Sequence, residues 1–224
     1  MQIFWKGQSC FQVLINLGKE NQVKIVIDPF SEETGLKLPK LEADILLITH
    51  SHSNHNSKKS VFGNPFLIEK PGEYEIKGIF VEGIHSWHDS KEGRERGENI
   101  IYTIEAEEMK LCHLGDFGQK ELTERQINKI GDVDILMIPI GGIPHQNQKR
   151  GTISAKEAVK VMSQIEPKIT IPMHYRIPNL KIKLDGLEKF FRPLGIKEVK
   201  PLPKLSIKKR NLSPEEAKII ILKP

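Results

Sequence analysis

Short apolar runs recur along the first half of the chain and are separated by glycine and polar clusters. Residues 2–6, 11–17 and 23–28 form three such runs, divided by Gly7 and by residues 18–22. Further runs of the same kind lie at residues 45–49, 66–69, 79–84, 99–105 and 110–113. Runs of this length, bounded by turn-forming residues, predict β-strands.

Helical signals begin only after this strand-rich part. Thr123 with Gln126, and Ser154 with Glu157, have the spacing of capping boxes, so each pair predicts the start of a helix. Residues 184–191 predict a third helix, and strands are predicted between the helices at residues 134–138 and 168–171. Strands followed by a mixture of strands and helices favour a sandwich of two sheets with helices outside. We expect residues 1–224 to form a single domain.

Composition and charge indicate an ordinary globular chain. Charged residues make up 28% and hydrophobic residues 38%, and no run approaches the ~20 apolar residues of a membrane helix. We expect a cytoplasmic protein without membrane insertion, because no signal peptide is visible and the two cysteines fit buried thiols better than a disulfide. The net charge of +5 owes much to Lys204, Lys208, Lys209 and Arg210. No aromatic residues interleave with this charge, which favours a lysine-rich surface over a nucleic-acid site.

The candidate chemistry is concentrated directly after the strand predicted near residues 44–48. Three histidines, His50, His52 and His55, lie within six residues of one another, and Asn54 lies beside the last. Imidazole is the commonest metal ligand in proteins, and alternate residues leaving a strand can direct two rings at one point. This segment therefore predicts a metal site.

Potential ligands recur downstream, each after an apolar run. His88 follows the strand at 79–84, with His85 as the alternative three residues earlier; Asp116 follows Gly115; and His174 follows residues 169–173. Three strand ends that each supply a possible ligand favour one shared metal site over scattered surface histidines. No Ser-His-Asp pattern and no glycine-rich phosphate loop offers a competing chemistry.

These residues together resemble a known family. The segment 50–55 resembles the His-x-His-x-Asp-His signature of metallo-β-lactamase-fold hydrolases, with Asn54 in the place of the Asp. Asp28, the Gly115-Asp116 pair and the Pro-x-His-Tyr of residues 172–175 resemble that family's other motifs and keep their order. Residues 71–75 and 96–99 resemble a prokaryotic branch known mainly as uncharacterised metal-dependent hydrolases. The resemblance spans about residues 1–178.

The resemblance implies a four-layer αββα sandwich of the metallo-β-lactamase type and assigns the site residues. His50, His52 and His88 would hold one metal ion, and Asn54, His55 and His174 would face a second, with Asp116 bridging the two. The resemblance also favours His88 over His85 as the metal ligand. Asp116 and His174 are the expected catalytic residues, whereas His113 and Asp28 would orient the ligands. Zinc is the expected metal, in one or two ions, with manganese or iron as alternatives.

The expected activity is that of a metal-dependent hydrolase acting through a metal-activated water on an ester, lactone or phosphodiester bond. Lys149 and Arg150, in the loop 141–151, could meet a small anionic substrate, although this loop could equally be a mobile surface segment. Two alternatives remain open, namely a metal- or ligand-binding protein without turnover and a nuclease, which would bind nucleic acid in a salt-sensitive manner. The oligomeric state is open as well.

The departure from the family signature concerns the second metal. An asparagine carbonyl can coordinate a metal, but it supplies no negative charge and accepts no proton from a water molecule. We therefore expect the second site to be weaker, which leaves a single-metal enzyme, an altered two-metal enzyme, or a site that binds without turnover. We prefer these three outcomes in the order in which they are named.

Overall fold

Two β-sheets form the framework of this computed structural model, which describes residues 1–18, 21–142, 151–213 and 217–224. The strands in chain order are β1 (Gln2–Gly7), β2 (Cys10–Asn16), β3 (Gln22–Ile27), β4 (Leu41–Glu42), β5 (Ile45–Leu47), β6 (Val61–Phe62), β7 (Phe66–Ile68), β8 (Gly72–Ile76), β9 (Ile79–Trp87), β10 (Glu98–Ala106), β11 (Met109–His113), β12 (Ile135–Pro139), β13 (Ile169–Met173), β14 (Leu205–Ser206) and β15 (Lys218–Ile219). The first sheet has the order β14-β1-β2-β3-β5-β7 and the second β15-β13-β12-β11-β10-β9-β8. Strands β4 and β6 pair separately.

The main core lies between the two sheets. Strand β1 alternates between partly exposed and buried positions, and its inward-facing Ile3 and Trp5 are buried. They belong to one continuous apolar cluster that also contains Ile104 of β10 and Met137 of β12. Because one cluster contains the inner faces of both sheets, the predicted sandwich of two sheets is confirmed.

The outer faces of the sheets are covered differently. A second apolar cluster covers the first sheet, where Val26 and Leu46 pack with Phe30, from a connecting segment, and with Leu41 of β4. The second sheet is covered by helices α1 (Glu124–Ile130) and α2 (Ala155–Ile165), which contact β9 and β12. None of the described helices is long and apolar enough to cross a lipid bilayer.

Both predicted helix starts are confirmed. The Thr123 side chain accepts a hydrogen bond from the backbone N–H of Gln126, whose own side chain accepts from the backbone N–H of Thr123. Ser154 and Glu157 form the same reciprocal pair at the start of α2. These contacts satisfy N–H groups that a helix cannot satisfy internally, which explains why the sequence signal was reliable here.

The third helix is shorter than predicted. It is α3 (Leu187–Phe191), followed by a 3₁₀ turn, so the prediction of a helix over residues 184–191 is wrong at its start. The backbone N–H of Asp185 donates to the carbonyl of Gly141, and the carbonyl of Asp185 accepts from Arg176. These long-range hydrogen bonds hold the chain before Gly186 in a non-helical path.

Several strand predictions were incomplete. Strand β9 runs to Trp87 and not to Ile84, and it places His85 opposite Ile100 of β10. Strand β8 was missed because its sequence is polar and largely exposed at the sheet edge. The short strands β4, β6, β14 and β15 give no periodic signal in sequence because each contains only two residues.

Both cysteines are buried free thiols, as the sequence predicted. Burial raises the pKa of Cys112 to about 12 and that of Cys10 well above its usual value. Thiols held in the neutral form are poor nucleophiles and poor metal ligands. Neither cysteine therefore competes with the histidines for a role in the chemistry.

Asp134 ties together the beginnings of three neighbouring strands of the second sheet, β11, β12 and β13. Its carboxylate accepts hydrogen bonds from the backbone N–H of Lys110 at 3.0 Å, from Lys168 Nζ at 2.7 Å and from Lys209 Nζ at 2.9 Å. Burial works to raise the pKa of Asp134, but the bonds from Lys168 and Lys209 outweigh it and hold this pKa below its usual value. The charged carboxylate therefore stabilises the folded state.

We expect Asp134→Asn to lower the free energy of unfolding by about 1–3 kcal/mol at neutral pH, because it removes the charge that these donors share. A carboxyl group with a depressed folded pKa contributes stability above its unfolded pKa of ~3.9, and that contribution is lost as the pH falls through the folded value. Denaturant unfolding should therefore show that the difference in free energy of unfolding between Asp134→Asn and the wild type becomes smaller from about pH 5 to about pH 3.

The matched control is Asp132→Asn, since Asp132 is a nearby exposed carboxylate. It should change the free energy of unfolding by less than about 0.5 kcal/mol. If the difference in free energy of unfolding between Asp134→Asn and the wild type stayed constant across this pH range, the role given to the Asp134 charge would be contradicted.

Candidate metal centre

The predicted ligand residues meet at one end of the sandwich, where several strands end. His50 follows β5, His88 follows β9, Asp116 follows β11 and His174 follows β13. Strands β5 and β3 are parallel, as are β11, β12 and β13, and β9 points the same way as β11 because both pair antiparallel with β10. Residues from distant parts of the chain therefore converge at one edge of the fold.

One carboxylate oxygen lies at the centre of this group. Asp116 Oδ2 lies 3.1 Å from Nε2 of His55, 3.3 Å from Nε2 of His174, 3.4 Å from Nε2 of His88 and 4.0 Å from Nε2 of His50. All five side chains are almost completely buried. Such a cluster of imidazole nitrogens around a carboxylate is the donor set that divalent transition metals prefer.

The potential ligand atoms fall into two overlapping groups. Those of His50, His52 and His88 lie within 4.8 Å of one another, and so do those of His50, His55 and Asp116. The first group has the same members as the first predicted ligand set. Asn54 lines the same pocket as His52 and His88. The individual ligand roles stay predictions.

A hydrogen-bond network fixes the orientation of two of the rings. The Thr49 hydroxyl donates to Asp28 Oδ2 at 2.7 Å, so its oxygen accepts the N–H of His50 Nδ1 at 2.9 Å. His55 Nδ1 lies 2.8 Å from the same Asp28 oxygen and donates to it. Both rings therefore carry a proton on Nδ1 and direct Nε2 at the centre. Asp28 has the orienting position predicted for it.

Three buried nitrogen atoms at the centre have no hydrogen-bond partner among the described residues. These are Nε2 of His50, His88 and His174, whereas Nε2 of His55 lies beside Asp116 at 3.1 Å. Buried polar atoms are normally satisfied because leaving one unpaired costs about 1–3 kcal/mol. Three unsatisfied nitrogens that converge on one carboxylate fit a metal site, because coordination would satisfy all of them.

The electrostatics favour neutral imidazoles at most positions. Burial lowers the pKa of His88 to about 4 and holds the pKa values of His50 and His174 below their usual range. Burial also lowers the pKa of His52, and the positive charge of Arg96 lowers it further. Neutral imidazole is the form that binds metals.

His55 and Asp116 are the charged pair of the metal-free centre. Burial works to lower the pKa of His55, but the carboxylates of Asp116 and Asp28, on either side of the ring, raise it to about 10. Burial works to raise the pKa of Asp116, and the surrounding histidines, His174 and His55 foremost, hold it well below its usual value. A metal ion would take the place of the His55 proton as the partner of the carboxylate.

The Asp116 turn is held from two sides. The backbone N–H of Asp116 donates to Asn99 Oδ1 at 3.0 Å, while the Asn99 amide donates to the carbonyl of Leu114 at 2.9 Å. Ser9 donates to Asp116 Oδ1 at 3.3 Å, on the side away from the histidines. Gly115 has a φ of +59°, and a Cβ there would lie 2.4 Å from Asn99 Oδ1, so glycine is required at this position.

His113 supports this turn and has no nitrogen to offer a metal. Its Nδ1 accepts the backbone N–H of Gly115 at 3.1 Å, so its Nε2 donates to the carbonyl of Ser9 at 2.9 Å. Both ring nitrogens are therefore engaged, which is what the sequence led us to expect of a supporting residue.

His85, the alternative to His88, lies outside the cluster. Its side chain is 41% exposed and its Nε2 lies 3.5 Å from Glu98, whereas the His88 side chain is 1% exposed and faces Asp116. Lys149 and Arg150, for which we predicted a contact with substrate, lie outside the described residues. Gly142 and Gly151, which flank that segment, do line the pocket.

The pocket above the centre is small. It has a volume of about 140 Å³ and is lined by His52, His88, Asp116 and His174 together with Asn54 and Arg96. A cavity of about 750 Å³ elsewhere on the molecule is bordered by Glu105, Lys168 and others and contains none of the predicted ligands. Of these two cavities, only the small pocket contains predicted ligand residues.

Sequence reasoning gave no role to Ser9, Thr49 or Asn99. Thr49 and Asn99 carried a weak signal, since each is a polar residue at the end of an apolar strand run. Ser9 carried none, because its contact with Asp116 spans more than a hundred residues. Its position beside the centre follows from the β1–β2 hairpin, which no local pattern places there.

Comparisons with known proteins agree with this geometry. A family model described as a beta-lactamase superfamily domain matches residues 2–174. A protein of Thermoplasma volcanium named a metal-dependent hydrolase is 31% identical over 218 residues, which cover 84% of this chain and 88% of that protein. A protein of Thermococcus onnurineus with the same designation is 28% identical over 206 residues, covering 78% and 84% of the two chains.

A solved structure extends the similarity to the whole chain. A Thermotoga maritima protein, described as a candidate zinc-dependent hydrolase of the metallo-β-lactamase superfamily, is 31% identical, with a TM-score of 0.77 and coverage of 99% of this chain and 97% of that one. The resemblance and the fold class inferred from the sequence motifs are thereby confirmed. The chain belongs to the beta-lactamase superfamily and has its metallo-β-lactamase fold.

Proposed function

We propose that this metal-dependent hydrolase cleaves an ester, lactone or phosphodiester bond in a small anionic substrate, with zinc as its metal. The observation that carries the proposal is the set of four buried imidazole nitrogens around Asp116 Oδ2, three of which have no hydrogen-bond partner among the described residues. Imidazole and carboxylate ligation suits zinc, while manganese or iron remains an alternative. The pocket of about 140 Å³ supports a small substrate group.

The side chains of the centre have separable tasks. His50, His52 and His88 would hold one metal ion, and His55, His174 and Asn54 would face a second, with Asp116 between them. A bound metal would supply Lewis acidity and an activated water molecule for the hydrolysis. Asp28 and Thr49 keep the His50 and His55 rings in their ligating tautomer, and Asn99 and Ser9 keep the Asp116 carboxylate in place.

The proposed partner is a small molecule, and the proposed location is the cytoplasm. Two free buried thiols support a reducing compartment. The small pocket argues against a nucleic-acid strand as the substrate, and we propose no membrane partner. A nuclease would bind nucleic acid at low salt and lose that affinity as salt is raised, which a titration would reveal.

The histidine pair His85 and His88 provides a matched test of the metal site. We expect His88→Ala to lose bound metal and to lower kcat/KM by about 100-fold or more, since even the loss of a supporting partner typically costs ~10–100-fold. His85→Ala removes a partly exposed ring from β9, three residues before His88, and should keep both the metal content and kcat/KM within about twofold of the wild type. Elemental analysis gives the metal content, and p-nitrophenyl acetate, bis(p-nitrophenyl) phosphate and a simple lactone report hydrolysis.

Three results would count against the proposal. Equal loss of metal in His88→Ala and His85→Ala would remove the assignment of His88 as a metal ligand. Metal bound by the wild type without turnover of any of these substrates would favour the alternative of a binding protein. Absence of metal uptake, even with added zinc or manganese, would overturn the hydrolase mechanism itself.

Asn54 offers a second test, because it replaces the carboxylate of the family signature. We expect Asn54→Asp to strengthen binding of a second metal ion and to raise hydrolysis, since a carboxylate adds negative charge beside that site. Metal titration by calorimetry, alongside kcat/KM, measures both effects. Asn54→Ala removes the amide without adding charge and should raise neither the affinity for a second metal ion nor kcat/KM. An increase of either quantity in Asn54→Ala would show that the added charge is not the cause of the effect of Asn54→Asp.

A further inference from the structure

The loop between β9 and β10 is organised by one carboxylate. The side chain of Asp89 accepts four backbone N–H groups, from Lys91 at 2.7 Å, Gly93 at 3.0 Å, Glu95 at 3.0 Å and Arg96 at 2.7 Å. Asp89 is itself buried, with 1% exposure. Four charge-assisted bonds to one side chain give this loop a defined conformation.

Backbone contacts close the loop at its base. The N–H of Gly97 donates to the carbonyl of Gly93 at 2.8 Å, and the N–H of His88 donates to the carbonyl of Gly97 at 3.1 Å. Arg96 is therefore held between a backbone bond to Asp89 and the strand that carries His88. Its position relative to the metal centre is fixed by the same loop.

The Arg96 side chain extends from this loop into the pocket wall. It lines the pocket together with His52, His88 and His174. A Cβ placed on Gly151 would lie 3.7 Å from Cζ of Arg96, 3.8 Å from Nη1 and 3.9 Å from Nη2. Because these three distances are nearly equal, Gly151 faces the flat side of the guanidinium group.

The charges of the described pocket wall favour an anion. Arg96 and Lys183 are its cationic residues, and Asp116, which faces the four histidines, is its only carboxylate. A metal at the centre would add further positive charge. A guanidinium group also matches two oxygens of a carboxylate or phosphate in a bidentate manner, which an ammonium group does not.

We propose that Arg96 recognises the anionic group of the substrate, a phosphate or a carboxylate, and thereby determines specificity for charged over neutral substrates. Asp89 is a positioning residue that sets the place of Arg96 through the loop. Lys183, which is exposed at the pocket rim, adds a weaker attraction. This inference rests on the proposed function, because the anion is recognised beside the bond to be hydrolysed.

The test measures binding, so that it does not depend on turnover. Inorganic phosphate and acetate are titrated by calorimetry into the zinc-loaded full chain and into its variants. Arg96→Ala should weaken binding of at least one of these anions by about tenfold or more, since a charge-assisted pair is lost. Arg94→Ala is the matched control, because Arg94 lies in the same loop but pairs with Glu92 at the surface, and it should stay within about twofold.

Further variants separate recognition from loss of structure. Metal content and thermal unfolding are measured for every variant, and Arg96→Gln replaces Arg96→Ala should the latter not fold. Arg96→Lys should recover part of the affinity, since it restores the charge but not the planar fork. Asp89→Asn should weaken binding of the same anion whose binding Arg96→Ala weakens, because the loop loses the charged carboxylate that orders it.

The outcomes distinguish the inference from the function on which it rests. A wild type that binds neither anion, or variants of Arg96 that bind both as well as wild type does with normal metal content, would overturn the inference. Loss of phosphate binding alone would identify a phosphate group, and loss of acetate binding alone would identify a carboxylate. Failure to hydrolyse any ester, with anion binding dependent on Arg96, would overturn the proposed function and leave the anion site standing.

Discussion

The buried carboxylate of Asp116 is the interaction on which this centre depends. Four imidazole nitrogens lie within 4.0 Å of one of its oxygens, and an ionised carboxylate in such a setting is stable only if opposite charge compensates it. In the metal-free protein, protonated His55 supplies that compensation, because the pKa of this ring is raised to about 10. A metal cation would compensate the charge of the carboxylate more fully and would also coordinate the remaining imidazole nitrogens. The residues therefore fit a metal site better than a structural ion pair.

The framework around the centre serves to keep these side chains from relaxing apart. Asp28 and Thr49 fix two rings from the first sheet, whereas Asn99 and Ser9 fix the carboxylate from the second sheet and from the β1–β2 hairpin. The apolar core between the sheets packs the two halves against each other. The ligand side chains are thus held together by hydrogen bonds and packing that lie outside the centre.

The apolar runs predicted the sandwich and the convergence of His50, Asp116 and His174 at strand ends, whereas the family and the choice of His88 over His85 came from the resemblance of the motifs. The polar strand β8 and the late start of α3 could not be predicted, since a sheet edge and long-range bonds to Asp185 decide them. The contacts of Ser9 and Arg96 also depend on how distant segments meet. That residues 1–224 form one domain stays a prediction.

The most direct test of the centre is a crystal structure of the zinc-loaded protein with anomalous diffraction recorded at the zinc absorption edge. The account predicts an anomalous peak about 2.0–2.2 Å from Nε2 atoms of the histidine cluster and from Asp116 Oδ2. A second peak on the side of His55 and His174 would indicate two ions despite Asn54. Zinc bound elsewhere, with the cluster free of anomalous signal at saturating zinc, would contradict the account.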